Sequence, residues 1–146
     1  MTHASESELA AMFAAPLAGR VLGSPTASIV LAEWTDPGGD DPPMYIAPLH
    51  RHDEDDEAWY VLEGALCVRL GDRQVELQSG GAVIAPRGTV HTYWNPQSAP
   101  TRYLLVMTPT IHGLIEALHG MPERKEETVA ATFRAHKSEY LGWPER

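Results

Sequence analysis

The segment HRHDEDDEAWYVLEG, residues 50–64, sets two histidines one residue apart ahead of five consecutive carboxylates. Side chains of an extended chain alternate between two faces, so His50 and His52 share one. Two imidazoles on one face offer a pair of nitrogen donors to a transition metal. Surface histidines beside a solvated acidic loop would carry the same letters, so the pair alone fits either reading. A second cluster follows in GGAVIAPRGTVHTYWN, residues 80–95. There Gly80, Pro86, Gly88, His91 and Asn95 stand as G-x5-P-x-G-x2-H-x3-N. With Gly near 7% and Pro near 5% of residues, the G…P…G part alone arises by chance roughly once in 4,000 starting positions.

The surrounding sequence must position these side chains. Glycine and proline, 12 of each, punctuate the chain at short intervals between positions 16 and 109, a rhythm of short strands and turns. ASIVLAEWT reads as a strand closed by the loop DPGGDDPP. MYIAPLHRH is extended, with Pro48 suited to an edge or bulge. EAWYVLEG and ALCVRL flank Gly64, and CVRL-GD-RQVEL is a hairpin turning at Gly71-Asp72. GGAVIAPRG, VHTYWN and RYLLVMT bring the total to about eight strands, the count of a sandwich or barrel. Two helices should follow: Ile111, Leu114, Ile115 and Leu118 keep helical spacing, and a second helix is expected over 123–137 with Val129, Ala130 and Phe133 inward. Ser5 and Glu8 make a capping box for a short N-terminal helix within 5–18.

Composition excludes several function classes. The formal charge of −9 repels phosphate backbones and anionic membrane surfaces. The tail 111–146 carries five basic and six acidic side chains, which argues against a recognition helix for nucleic acid. Cys67 has no partner for an intrachain disulfide, MTHASESELA lacks a signal-peptide pattern, and no apolar run approaches the length of a membrane span. A soluble cytoplasmic protein is the expectation.

The two histidine-bearing segments together resemble the cupins, whose first motif is G-x5-HxH-x3–4-E-x6-G and whose second matches the five residues named above. His50, His52, Glu57 and Gly64 fill the first motif, while Met44 replaces its leading glycine. The motif's shorter gap would select Asp56 as the acid; the six-residue distance to Gly64 selects Glu57, which also keeps register with Trp59 and Val61. The resemblance implies an all-β fold, a jelly-roll β-barrel over about residues 25–110, with a C-terminal helical tail at 111–146 and a short N-terminal helix, 1–146 forming a single domain. It further implies that His50, His52, Glu57 and His91 converge on one divalent transition metal, Fe or Mn first, with Ni, Cu or Zn as alternatives. Three imidazoles and a carboxylate suit such ions and leave positions open, whereas closed structural sites favour thiolates.

On this reading Asp53, Glu54, Asp55 and Asp56 are a solvated rim. Tyr93 shares the face of His91 and, with Glu57, is the expected catalytic residue. Asn95 is a turn residue, Trp59 and Tyr45 lean inward, and Arg69 and Arg102 are solvated. His3, His112, His119 and His136 have surface or packing roles. The implied function is that of a metal-dependent enzyme, a dioxygenase acting on a small phenolic, enolic or diketone-like molecule. Metal-dependent isomerase, decarboxylase or hydrolase chemistry and non-catalytic binding are the alternatives. The tail, with YLGWP near its end, is similar to single-domain cupins of the quercetin dioxygenase type. The expected partners are a small-molecule substrate and a second copy of the chain, paired through outward apolar residues of ASIVLAEW and Trp94.

Overall fold

In the computed structural model of the chain, residues 3–24 and 26–144 are described. Helix α1 (Glu6–Ala10) is followed by strands β1 (Val21–Leu22), β2 (Val30–Asp36), β3 (His50–His52), β4 (Glu57–Glu63), β5 (Ala65–Leu70), β6 (Arg73–Gln78), β7 (Ala82–Ala85), β8 (His91–Trp94) and β9 (Thr101–Met107). Helices α2 (Pro109–His119) and α3 (Glu126–Ala135) and strand β10 (Ser138–Tyr140) complete the order. The strands form two five-stranded sheets, β1-β2-β9-β4-β7 and β10-β3-β8-β5-β6, with every pairing antiparallel. This is the jelly-roll arrangement expected, with its helical tail.

Alternation builds the core. In β9, Thr101, Tyr103, Leu105 and Met107 are buried while the residues between them are partly exposed. In β4, Glu57, Trp59 and Val61 point inward in the same way. Facing side chains from both sheets, including Val30, Ala32, Leu66, Val68, Ala85 and Tyr93, close a single apolar cluster that Ile111 of α2 joins from the side. The hairpin turns at Gly71-Asp72 as expected, with Leu70 opposite Arg73.

Several elements differ from the sequence expectation. The N-terminal helix stops at Ala10, although Ser5 does cap it by accepting from the Glu8 amide. Leu9 and Phe13 are 47% and 80% exposed, so this apolar stripe meets no surface that would extend the helix. β2 begins at Val30 rather than Ala27. Within MYIAPLHRH only His50–His52 make a strand, preceded by a single bridge between Tyr45 and Trp94. The second tail helix is trimmed to Glu126–Ala135. Two strands are additional: β1, and β10 within the stretch read as helical tail. β10 pairs with β3 in the register Ser138↔His52, Glu139↔Arg51, Tyr140↔His50.

Candidate metal centre

β3 and β8 run antiparallel with His50 directly opposite His91, so two imidazoles lie side by side with ring centroids 4.2 Å apart. His52 lies two residues along β3 on the same face. Glu57 opens β4 in the other sheet, and its side chain closes the cluster from across the barrel. One ligand atom from each of His50, His52, Glu57 and His91 falls within 4.8 Å of the others, so the group could hold a metal ion. All four residues are buried, at 5%, 2%, 5% and 1% exposure.

Backbone contacts put these strands where they are. The Ile46 amide donates to the Tyr93 carbonyl at 2.9 Å, and the Thr92 hydroxyl donates to the Ala47 carbonyl at 2.6 Å, so β8 carries the lead into β3. The turn before β8 is tied back by the Gly88 amide, which donates to the His52 carbonyl at 2.7 Å. Gly80, Gly88 and Gly64 adopt φ of +87°, +79° and +89°, conformations that side-chain-bearing residues rarely reach. Met44 has no such φ, so the missing first glycine of the motif costs the loop nothing.

The hydrogen bonds around the imidazoles decide which nitrogen is offered. His50 Nδ1–H donates to the Pro48 carbonyl at 2.7 Å, and His91 Nδ1–H donates to the Thr89 carbonyl at 2.9 Å. His52 Nδ1–H donates to the Ser138 hydroxyl oxygen at 2.7 Å. Each ring therefore turns an Nε2 lone pair inward. Nε2 of His91 and His52 lie 3.1 and 3.4 Å from Glu57 Oε1. His52 Nε2 is buried and has no hydrogen-bond partner among the described residues. Three lone pairs and a carboxylate in a space this small, without a donor between them, are the surroundings of a bound cation. The residues present thus fit a divalent transition metal.

Electrostatics hold the ligands in binding form. Burial, reinforced by the neighbouring His91 and His52, lowers His50 to about 3, so its ring stays neutral. Burial also raises the Tyr93 phenol well above its ordinary value, with Tyr103 adding to the effect. The two phenol oxygens lie 3.4 Å apart and remain protonated.

The acidic run is an exposed rim, as expected, and three of its acids are ion-paired there. Asp56 accepts from the Arg87 amide at 2.8 Å and from its guanidinium at 3.2 and 2.9 Å. Asp53 pairs with Arg51 at 3.1 Å and Glu54 with Lys137 at 2.9 Å. These acids tie the loop between β3 and β4 to the turn before His91 and to the tail. Asn95 is the turn residue expected: its amide donates to the Ala99 carbonyl and its oxygen accepts from the Gln97 amide. Arg102 pairs with Glu33 and Glu63, and Arg69 donates to the Gly71 carbonyl.

A cavity of about 670 Å³ opens over the ligands. His50, His52, Glu57, Tyr93 and Tyr103 line its polar floor; Trp34, Ile46, Ile111, Leu114, Ile115 and Phe133 supply apolar walls. His119, Arg124 and Glu126 give it polar groups from the tail. His119 is exposed, as expected of a surface residue, and also borders the cavity; Ser138 was not anticipated, its only sequence signal being a small polar residue between two charged ones. Trp34 and Trp94 are engaged within the chain, Trp34 at the cavity wall and Trp94 edge-on to Tyr45 at 5.1 Å.

The family model of the cupin domain matches residues 36–107. These residues form a cupin domain. No curated protein matches the chain by sequence. Among solved structures, KdgF from Halomonas sp. is 18% identical, with 75% of this chain and 80% of that one covered at a TM-score of 0.52. A protein from Thermus thermophilus is 28% identical over 56% of this chain and 73% of its own, at a TM-score of 0.48. A cupin-superfamily sugar phosphate isomerase from Silicibacter pomeroyi is 25% identical over 56% of this chain at 0.49, and this chain spans about half of it, 51%.

The cupin domain contains all four candidate ligands, but the site extends beyond it. α2, α3 and β10 lie outside the matched residues and provide Ile111, Leu114, Phe133 and Tyr140 to the cavity wall. Among the described residues no helix is long and apolar enough to cross a membrane.

Proposed function

We propose that this chain is a metal-dependent enzyme that binds a small, mainly apolar organic molecule carrying an oxygen donor and oxidises it as a dioxygenase. The observation that carries the reading is the inward set of His50, His52 and His91 lone pairs with the Glu57 carboxylate, at the floor of a mostly apolar cavity. A divalent ion in that set, Fe or Mn before Ni, Cu or Zn, would supply Lewis acidity toward a phenolic, enolic or diketone oxygen and retain positions for further ligands. The protein's own part is positional. Trp34, Ile46, Ile111 and Phe133 desolvate the substrate body. Tyr93, protonated and beside Tyr103, offers a hydroxyl to a substrate oxygen, and Glu57 takes a substrate proton as base when its carboxylate swings off the ion. An enolic or phenolic group would meet both an acceptor and a donor at the cavity floor.

Reconstitution with Fe(II), Mn(II), Ni(II), Cu(II) and Zn(II), followed by metal analysis and oxygen uptake on catechols, flavonols and 1,3-diketones, tests the reading. His91→Ala should lose tight metal binding and oxygen uptake, whereas His112→Ala, on a partly exposed turn of α2, should keep both. A wild type that retains no ion overturns the metal assignment. A loaded iron protein inert to the panel overturns the dioxygenase assignment and leaves the isomerase, decarboxylase or binding readings.

A second copy as partner is part of the same proposal. It is supported by an outward apolar band on the first sheet, where Tyr60 and Ile84 are 42% and 62% exposed beside Leu104 and Val106. A mass measured by light scattering that equals one chain would refute it.

A further inference from the structure

We infer that Ser138, on the C-terminal strand, is a positioning residue for the metal centre, which makes β10 part of the site. The inference rests on the metal reading above. His50 and His91 fix their tautomers with carbonyls two residues upstream, Pro48 and Thr89. His52 instead depends on a side chain 86 positions away. The Ser138 hydroxyl donates to the His136 carbonyl at 3.0 Å, an atom that can only accept. Its oxygen is then left to accept, and His52 Nδ1–H donates to it at 2.7 Å. The hydroxyl thus works in one direction, and His52 Nε2 must keep its lone pair toward Glu57.

The surroundings hold Ser138 in place. Its residue is 3% exposed and stands opposite His52 in the β10–β3 register. The Asp53 amide donates to the Lys137 carbonyl at 2.9 Å, Lys137 pairs with Glu54, and Arg51 pairs with Glu139. Lys137 itself takes φ +55°, the tight reversal between α3 and β10. Without the hydroxyl, a buried Nδ1–H would lose its acceptor. The ring then gains by moving its proton to Nε2, where Glu57 accepts it, and that tautomer keeps its lone pair on Nδ1, on the side away from Glu57.

The test uses the full-length protein and its Ser138→Ala and Ser138→Thr variants. Mn(II) and Zn(II) affinities are measured by competition with a chelating dye, and the His52 tautomer by long-range proton–nitrogen spectra of the metal-free protein. Ser138→Ala should weaken binding about 10–100-fold and move proton density from Nδ1 to Nε2 of His52. Ser138→Thr, which keeps the hydroxyl, should restore most of the affinity. A wild-type His52 protonated on Nε2, or an Ala variant with wild-type affinity, overturns the role of Ser138 alone. If Ser138→Ala does not fold, the wild-type tautomer and the Thr variant decide. A wild type that binds neither ion overturns the metal reading, while the His52 tautomer still reports on Ser138 separately.

Discussion

The imidazoles of the site are specified by what lies behind them as much as by what they face. Each Nδ1–H is spent on an oxygen of the protein, so each Nε2 is free for an ion. Such outer hydrogen bonds raise ligand basicity and fix ring orientation. The chain's one cysteine shows the opposite chemistry. Cys67 is 5% exposed on β5, and burial, with the charge of Glu76 beside it, pushes its thiol up to about 11 from 9.0. It should therefore be inert: at pH 8 a disulfide reagent should label native protein slowly and denatured protein at once. The linkage has a definite sign, because a thiol whose folded pKa is raised binds its proton more tightly when folded. Stability is unaffected below about pH 9 and falls as pH rises from there toward 11. Rapid native labelling, measured by absorbance of the released thiolate, would contradict this burial.

Among the elements, the bend between β4 and β5 is under a tight local constraint. Gly64 sits at φ +89°, and a Cβ there would meet Thr101 Oγ1 at 2.6 Å and the Pro100 carbonyl at 2.8 Å. Thr101 is itself fixed, donating to the Ala65 carbonyl at 2.7 Å and accepting from the Ala65 amide at 3.1 Å. The left-handed backbone alone costs an L-residue about 1–2 kcal/mol, and the clash adds to it. Gly64→Ala should lower the denaturant midpoint by more than the backbone cost accounts for. Gly71→Ala, with open space around its Cβ at φ +58°, should show the backbone cost without the clash. Equal losses in the two variants would show that Thr101 gives way.

For the molecule as a whole, the tail acts as a wall rather than an appendage. Phe133 of α3 packs edge-on to the His50 ring at 5.5 Å and against Tyr140 at 5.7 Å, joining α3, β10 and a candidate ligand. Phe133→Ala should destabilise the fold by about 3–5 kcal/mol, at the lower end because one face already borders the cavity. Thermal unfolding under excess chelator measures it free of any ligand contribution. An unchanged midpoint would mean that the tail packs independently of the barrel. The ion pairs Glu54–Lys137 and Arg51–Glu139 are solvent-facing and add little energy each; they flank the register that sets Ser138 against His52.

Much of the site was legible because its determinants are local. His50 and His52 share a face by strand period, Glu57 keeps register with Trp59 and Val61, and the glycines at 64, 80 and 88 mark backbone that needs positive φ. Most of the strands, the hairpin at Gly71 and the two tail helices follow from patterns a few residues long. The extent of α1 was not legible, since whether Leu9 and Phe13 find a surface depends on elements far along the chain. Nor were β10, the pairing of Asp56 with Arg87, or the turn of His119 toward the cavity. SEY has too few residues to show a period, and it becomes a strand only because β3 presents a free edge. Sequence alone thus placed His50 and His52 on one face, and its resemblance to the cupins named the four side chains that could hold an ion. Tertiary structure decided which nitrogen each imidazole offers and what encloses the cavity, because both depend on atoms brought together across the fold.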